Sequence, residues 1–296
     1  MLNKLYSRAI YRLGRETVLG FIHDGILSHG AAIAFFTVTS MAPLLLVVTA
    51  VAGLAFGSIA TKKAIVDQLA GLTGSDSAGF FQSVLENASS KSSGAIASLV
   101  GLITLLITVS GVFGEMQSAL NAIWKVKAQP TTVSRLVRAR ATSFGLVVAL
   151  GFLLMTSLSV SAALATLGQY LQRNWPELGF VLVVLNFLLS IIFIAAMFAA
   201  IFKVLPDRKL EWRDVFIGAV ASSVLFSFGK YLIAIYLGTS GIGTVYGAAG
   251  TLILLLFWVY YSVQILLLGA EFTKAYAQVY GSRKTDPALR TKVVKI

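Results

Sequence analysis

The chain has 296 residues, of which 57% are hydrophobic and only 12% are charged, and its formal net charge is +12. Soluble domains carry about 25% charged residues, so this composition argues against an ordinary soluble domain and indicates an all-α, polytopic membrane protein. The chain has no cysteine, which excludes structural disulfides, cysteine nucleophiles and thiolate metal sites. We attribute the positive charge to the membrane surface rather than to nucleic acid, because Lys and Arg collect in cytoplasmic loops.

The first 28 residues are predicted to form a cytoplasmic amphipathic helix. Lys4, Arg8, Arg12 and Arg15 recur at helical spacing, with leucine and isoleucine between them. A basic helix of this kind lies on a membrane surface. The basic region is too long for a signal peptide, and no cleavage site follows a short apolar core. Anionic lipid at the cytoplasmic face is therefore a predicted partner.

The rest of the chain is predicted to be a six-span transmembrane domain (29–275) with a basic cytoplasmic tail (276–296). A span needs about 20 apolar residues. Residues 58–93 are predicted to form an outer amphipathic insertion, and Pro43 is predicted to kink the first span. The six predicted spans are 30–57, 95–123, 141–167, 178–202, 215–237 and the apolar run within 246–274.

The distribution of basic residues predicts the orientation of these spans. Nineteen of the 24 Lys and Arg residues lie in the N-terminal helix, the 124–140 loop, the 203–213 loop and the end of the chain from Lys274 onwards, and four lie on the opposite side. Because short cytoplasmic loops carry the excess of basic residues, both termini are predicted to be cytoplasmic.

One cation lies inside a predicted span. Lys230 follows Ser223 and Ser227 on the same helical face. A charge at this depth costs about 2.5–3.5 kcal/mol unless it is paired or hydrated. Lys230 is interpreted as a binding group for an anionic head group or as the partner of a buried acid. The alternative is a lysine that extends its stem along the helix to the membrane surface.

The second span carries a face of small and polar residues that includes Thr108 and ends at Glu115. Two interpretations stay open for this face, a polar pathway that ends at a carboxylate and close packing between helices. In the last span, Tyr260 and Gln264 lie at mid-membrane depth, where lipid offers no hydrogen-bond partner. Glu271 shares the face of Gln264, and an ion pair with a basic loop is the favoured interpretation for it.

Five segments resemble the YihY/BrkB family of bacterial inner-membrane proteins. They are AAIAFFTVTSMAPLLL (31–46), GEMQSALNAIWKV (114–126), LPDRKLEWRDVFIGA (205–219), GKYLIAIYL (229–237) and YGAAGTLILLLFWVYYSVQILLLGAEF (246–272). The resemblance implies six spans, cytoplasmic termini and a multi-pass protein of the bacterial inner membrane. It also implies a role in lipid export or envelope integrity. Some members carry the label ribonuclease BN, which this chain does not support, since it lacks the His/Asp cluster of a metal nuclease.

These observations predict a transporter or exporter of an anionic substrate, such as a lipid or a lipid-linked envelope precursor. The predicted substrate pathway runs along the second, fifth and last spans. The alternative is a membrane scaffold for envelope proteins that transports nothing. No enzyme activity, cofactor or metal site is predicted, because His23, His29 and one nearby acid make a poor metal site. A homo-oligomer stays open. The predicted pathway residues are Thr108, Glu115, Ser223, Ser227, Lys230, Tyr260, Gln264 and Glu271.

Overall fold

A computed structural model of the chain describes most of its apolar segments. The described residues are 2–56, 66, 82, 86, 95–126, 141–142, 145–146, 148–157, 159–160, 163–164, 166, 168, 179–239 and 248–283. Within these ranges every regular element is a helix and none is a strand, which agrees with the all-α prediction.

Six long helices are described. They are α1 (Leu2–His23), α2 (Ile26–Phe56), α3 (Ala95–Ile123), α4 (Gly179–Val204), α5 (Trp212–Thr239) and α6 (Ala248–Val279). Among the described residues, five stretches are long and apolar enough to cross a bilayer: Ile26–Leu45, Ile103–Ile123, Phe180–Val204, Trp212–Ile233 and Leu252–Val279. These stretches lie in α2 to α6, in the places where the sequence predicts the first, second, fourth, fifth and sixth spans.

The prediction of a third span is only partly covered by the described residues. There an apolar helix, Val148–Ser157, is shorter than a span, and the remaining parts of 141–167 are described only at scattered positions. The predicted outer insertion at 58–93 also lies outside them, apart from three single positions. The tail is described only as far as Arg283.

The spanning helices differ in how much of their surface the protein covers. In α6, 44% of the apolar stretch is buried inside the protein, whereas in α4 only 6% is. Because an apolar residue is equally satisfied by lipid and by protein, exposed Phe180, Phe187 and Ile192 of α4 fit a lipid-facing helix. The apolar stretch of helix α6 has a larger share of its residues buried than that of α4.

The chain divides into two compact units. Unit 1 comprises Met1–Ile26, Gln117–Ser227 and Ile265–Ile296, and unit 2 comprises Leu27–Met116 and Phe228–Gln264. The amphipathic helix α1 and α4 belong to unit 1. Each unit contains its own group of charged residues, described separately below.

Within unit 1, α5 and α6 make a close contact through small residues. The backbone of Gly218 faces the side chain of Thr273, and the backbone of Gly269 faces that of Ser222. Each hydroxyl donates to the carbonyl oxygen four residues earlier in its own helix, at 2.7 Å. Both side chains are thus buried without an unsatisfied polar atom, and the two backbones approach closely, as small residues allow between spanning helices.

Two helix ends in unit 1 place charged side chains. Helix α1 ends before Gly25, which has φ +66°, and α3 ends at a cap in which Lys125 has φ +52°. At the α3 end the amide of Val126 donates to the carbonyl oxygen of Asn121 at 2.9 Å. The amide of Lys125 donates to the carbonyl oxygen of Ala122 at 3.1 Å. This is the Schellman arrangement, whose left-handed position usually holds glycine.

Candidate functional site

Four charged side chains meet in unit 1, and we call Asp24, Lys125, Glu271 and Lys274 the charge cluster. Lys125 donates to Oδ1 of Asp24, and Lys274 donates to Oδ2 of Asp24 at 3.1 Å. The ammonium nitrogen of Lys274 also lies 2.6 Å from Oε2 of Glu271. The side chains of Asp24, Glu271 and Lys274 are at most 1% exposed, while that of Lys125 is 35% exposed.

Three separate segments supply this cluster. Asp24 is the residue between the end of α1 and Gly25, and Lys125 occupies the left-handed position of the α3 cap. Glu271 and Lys274 are three residues apart on α6, a spacing that places both on one helical face. A non-glycine residue in the left-handed region costs about 1–2 kcal/mol, and Lys125 makes its ion pair with Asp24 from this position.

The carboxyl group of Glu271 lies against the backbone of α1. A Cβ atom added to Gly20 would stand 2.8 Å from the Cδ atom of Glu271 and would overlap its Oε2. Neither carboxyl oxygen of Glu271 has a hydrogen-bond donor in acceptable geometry, although Oε2 makes the short ion pair with Lys274. Glycine at position 20 therefore provides the space into which this carboxyl fits.

The electrostatics of Asp24 follow from its partners. Burial opposes the charged form of this carboxyl group. The neighbouring carboxyl group of Glu271, the charge of Lys274 and the hydrogen bonds from Lys125 and Lys274 outweigh burial, and together they hold the pKa of Asp24 below its ordinary value. Asp24 is therefore ionised at neutral pH and paired with two ammonium groups.

A second polar network in unit 1 holds the connection between α4 and α5 against the end of α3. Asp207 accepts hydrogen bonds from Gln117 at 3.0 Å and from Asn121 at 2.7 Å, and its amide donates to the side-chain oxygen of Asn121 at 2.9 Å. Arg208 donates to the carbonyl oxygen of Trp124 at 2.9 Å. These bonds hold the end of α3, immediately before Lys125, against the connection between α4 and α5.

Unit 2 contains a different pair of ionisable side chains. Nδ1 of His29 on α2 lies 2.6 Å from Oε1 of Glu115 on α3, and the two side chains are 26% and 28% exposed. Also in unit 2, Nε2 of Gln264 lies 3.4 Å from the carbonyl oxygen of Leu27, next to Gly30. Glu115 therefore has a histidine partner on the neighbouring span, and Gln264 reaches a backbone oxygen at the start of α2.

The other predicted pathway residues have varied surroundings. Lys230 is exposed, and its ammonium group lies 5.4 Å from the centre of the Tyr231 ring. Ser223 and Ser227 are buried, and the hydroxyl of Ser223 donates to a carbonyl of its own helix. Thr108 likewise donates to its own helix, and Tyr260 is half-buried. The structure thus pairs Glu115 and Glu271 with basic residues, and it leaves Lys230 on the surface of the protein.

Several members of these groups were not identified from the sequence as site residues. Asp24, Lys125 and Lys274 are distant in the sequence, and His29 was considered only as a metal ligand. The one available signal was the three-residue spacing of Glu271 and Lys274 at the end of an apolar run. Glu271 pairs within its own helix, whereas a partner from a basic loop was expected.

The charged groups do not form a metal site in the part of the chain that is described, where no three His, Cys, Asp or Glu side chains come together. The charge cluster holds two carboxyl groups and two ammonium groups, so its charges balance without a cation. The arrangement can hold protons and form ion pairs, and it supplies neither a nucleophile with its base nor an open metal position.

The spans and the buried charged groups define a class, a multi-pass α-helical membrane protein with ionisable residues inside the protein. Comparison with protein families is more specific, since a family model described as "Virulence factor BrkB" matches residues 17–293. The chain belongs to this BrkB (YihY) family, as the resemblance of its five segments indicated.

Relatives among curated proteins carry the name UPF0761 membrane protein. One from Alteromonas mediterranea is 29% identical over 198 residues, which is 65% of this chain and 64% of that protein. One from Rhodospirillum centenum is 27% identical over 280 residues, 92% of this chain and 60% of that protein. The match therefore spans less than two thirds of the length of either relative. No solved structure matches the chain.

Proposed function

We propose that this protein is a transporter that exports an anionic substrate, a lipid or a lipid-linked envelope precursor, across the bacterial inner membrane. The observation that carries the proposal is the burial of Glu271 and Lys274 on the same spanning helix, with Lys274 as the partner that Glu271 shares with Asp24. Ionisable residues inside spanning segments are costly, and in membrane proteins they mark substrate pathways and proton relays. The proposal assigns no covalent reaction to the chain.

In this proposal the exposed cation Lys230 is the group that binds the substrate. Lys230 lies on a spanning helix of unit 2, and its ammonium group is not buried. A lysine in this place is accessible to the phosphate of a lipid head group, to which it would act as a point charge. In this proposal Lys230 binds the anionic part of the substrate, and the half-buried pair of His29 and Glu115 belongs to the same unit.

A flipping assay tests this function. The purified protein is reconstituted into vesicles that contain a fluorescent phosphatidylglycerol, and a membrane-impermeant quencher measures the rate at which the label changes leaflets. We expect the protein to accelerate exchange of this anionic lipid more than that of fluorescent phosphatidylcholine. Lys230→Met should abolish the acceleration, and Lys209→Met, at an exposed cation outside the apolar stretches, should leave it unchanged.

An envelope scaffold is the second candidate, and one observation favours it. The contact between the Lys230 ammonium and the Tyr231 ring is a stable resting place for a lysine that reaches along the helix towards the membrane surface. In this function Lys230 needs no substrate. Vesicles in which neither lipid is exchanged faster than in protein-free controls, together with a wild-type phenotype for Lys230→Met in cells, would replace the transporter by the scaffold.

The topology that goes with the proposal has six spans and both termini in the cytoplasm. The support is the excess of Lys and Arg on one side of the predicted spans. Reporter fusions after Ala128 and after Thr285 should give a cytoplasmic signal, and a fusion at Ser77 should give an external one. A cytoplasmic signal at Ser77 would overturn the six-span arrangement.

Helix α1 is proposed to bind anionic lipid at the cytoplasmic surface. Tyr11, Val18 and Ile22 are exposed on one face of this helix, at spacings of seven and four residues, and Arg12 and Arg15 are exposed beside them. An apolar face flanked by arginines fits the boundary between head groups and acyl chains. Protein with Arg12→Gln and Arg15→Gln should retain less phosphatidylglycerol during purification than wild type, and equal retention would contradict the assignment.

A further inference from the structure

The two carboxyl groups of the charge cluster have unequal surroundings. Asp24 accepts hydrogen bonds from two ammonium groups, one on each oxygen. Glu271 has only the ion pair with Lys274, whose ammonium group it shares with Asp24. Both oxygens of Glu271 are buried and lack a hydrogen-bond donor in acceptable geometry.

The unequal surroundings decide where a proton would reside. A buried carboxylate without hydrogen-bond donors is costly, since it has lost its water and gained little in return. A protonated carboxyl at the same place removes the charge and becomes a donor for its neighbour. A protonated Glu271 would be such a donor for Asp24, and this would help to keep Asp24 ionised.

The packing around Glu271 is consistent with a neutral carboxyl group. Helix α1 presents the uncharged backbone of Gly20 to it, and α6 presents Lys274. The cap of α3 presents Lys125, whose ammonium group reaches Asp24 rather than Glu271. Among the described residues, the charged groups of the cluster around Glu271 are therefore Lys274, Lys125 and Asp24. With Glu271 ionised the cluster is electrically neutral, and with Glu271 protonated it carries one net positive charge.

We propose that Glu271 is a proton-binding site, which takes up and releases one proton while Asp24 stays ionised between Lys125 and Lys274. The ligand is a proton, and the cluster reaches solvent at Lys125, whose side chain is 35% exposed. This inference rests on the proposed transport function in one respect, because it makes the proton the coupling ion of the exporter. The site itself depends on the geometry of unit 1 alone.

Infrared spectroscopy detects the site directly. The carbonyl stretch of a protonated carboxyl group is separate from the bands of carboxylates, and its intensity is followed from acidic to alkaline pH in purified protein without substrate. We expect a band from a buried carboxyl group at every pH below that at which Glu271 releases its proton. The band should be absent from Glu271→Gln and present in Glu115→Gln, which removes the carboxyl group of the half-buried pair in unit 2.

The outcomes separate the inference from the function on which it rests. A band that survives Glu271→Gln, or a wild-type protein without such a band, overturns the proton site. Glutamine has the shape of protonated glutamate, so Glu271→Gln must also fold and keep at least wild-type thermal stability at neutral pH; a variant that aggregates overturns the inference too. If the band behaves as expected but no lipid is exchanged in vesicles, the proton site stands and the transport function fails.

Discussion

The charge cluster of unit 1 and the His29–Glu115 pair of unit 2 are two solutions to placing charge in a membrane protein. In the cluster, three of four side chains are at most 1% exposed. In the pair, both side chains keep about a quarter of their surface exposed. The three buried members of the cluster must be compensated by one another and by Lys125, whereas the pair retains access to its surroundings.

This difference indicates different sensitivities to mutation. Removal of one partner from a buried ion pair leaves an uncompensated charge, and such changes are strongly destabilising. Removal of one partner from a half-exposed pair leaves a group that is still partly open to its surroundings, so less stability is lost. Four experiments test this contrast in order of decreasing effect.

The largest effect is expected for Lys274→Met. The substitution leaves the ionised Asp24 with one partner and Glu271 with none, and it should lower the free energy of unfolding by about 3–5 kcal/mol. Thermal unfolding in detergent, followed by tryptophan fluorescence, measures the loss. Lys230→Met is the matched control, because Lys230 is exposed and its loss should change stability little. Equal unfolding temperatures for the two variants would contradict the role of the cluster.

Asp24→Asn should lower stability at neutral pH by about 1.5–3 kcal/mol, the value of hydrogen bonds to charged groups. Because the pKa of Asp24 is lowered in the folded protein, its contribution is present above the ordinary pKa of about 3.8. That contribution is lost as the pH falls through the lowered pKa. The unfolding temperatures of wild type and variant should therefore converge in acid. A difference that stays constant with pH would show that ionised Asp24 is not the source.

Gly20→Ala tests the space in which Glu271 lies. The added methyl group would overlap Oε2 of Glu271, and such overpacking costs about 1–3 kcal/mol. Gly14→Ala is the control on the same helix, where nothing lies within 4 Å of an added Cβ, and where alanine should stabilise the helix by about 0.5–1 kcal/mol. Opposite shifts of the unfolding temperature are expected, and a stabilising Gly20→Ala would be inconsistent with the packing described.

The smallest effect is expected in unit 2. A double-mutant cycle with His29→Phe and Glu115→Gln should give a coupling energy of about 1 kcal/mol or less, as half-exposed pairs do. The same unfolding assay measures it. A coupling as large as the loss caused by Lys274→Met would remove the contrast between the two units, and would assign Glu115 a buried, fully paired role.

Much of the fold followed from local properties of the sequence. The second span was predicted at 95–123, and α3 is Ala95–Ile123. The fifth was predicted at 215–237, and α5 is Trp212–Thr239. Apolar runs of this length have few alternatives to a spanning helix, because lipid cannot satisfy backbone groups in any other local structure. The ends were less accurate, since capping depends on single residues such as Gly25.

Much less of the candidate site could be predicted from the sequence. Glu115 and Glu271 were identified as unusual because a carboxyl group in an apolar run is costly wherever it lies. Their partners were not identified, because His29 is 86 positions from Glu115 and Asp24 is 250 positions from Lys274. Lys230 was selected by the same argument of cost, yet its exposure depends on which face of α5 the neighbouring helices cover.

The sequence by itself determined that this is an all-helical membrane protein of the BrkB family, with charged residues at unusual depth. Hydropathy and charge are sums over the residues of a segment, so they can be obtained from the sequence without knowledge of the fold. Only the tertiary structure decided which charges are buried and which partners they have. Ion pairs depend on distances of a few ångströms between segments far apart in sequence, and those distances arise only when α1, the end of α3 and α6 pack together.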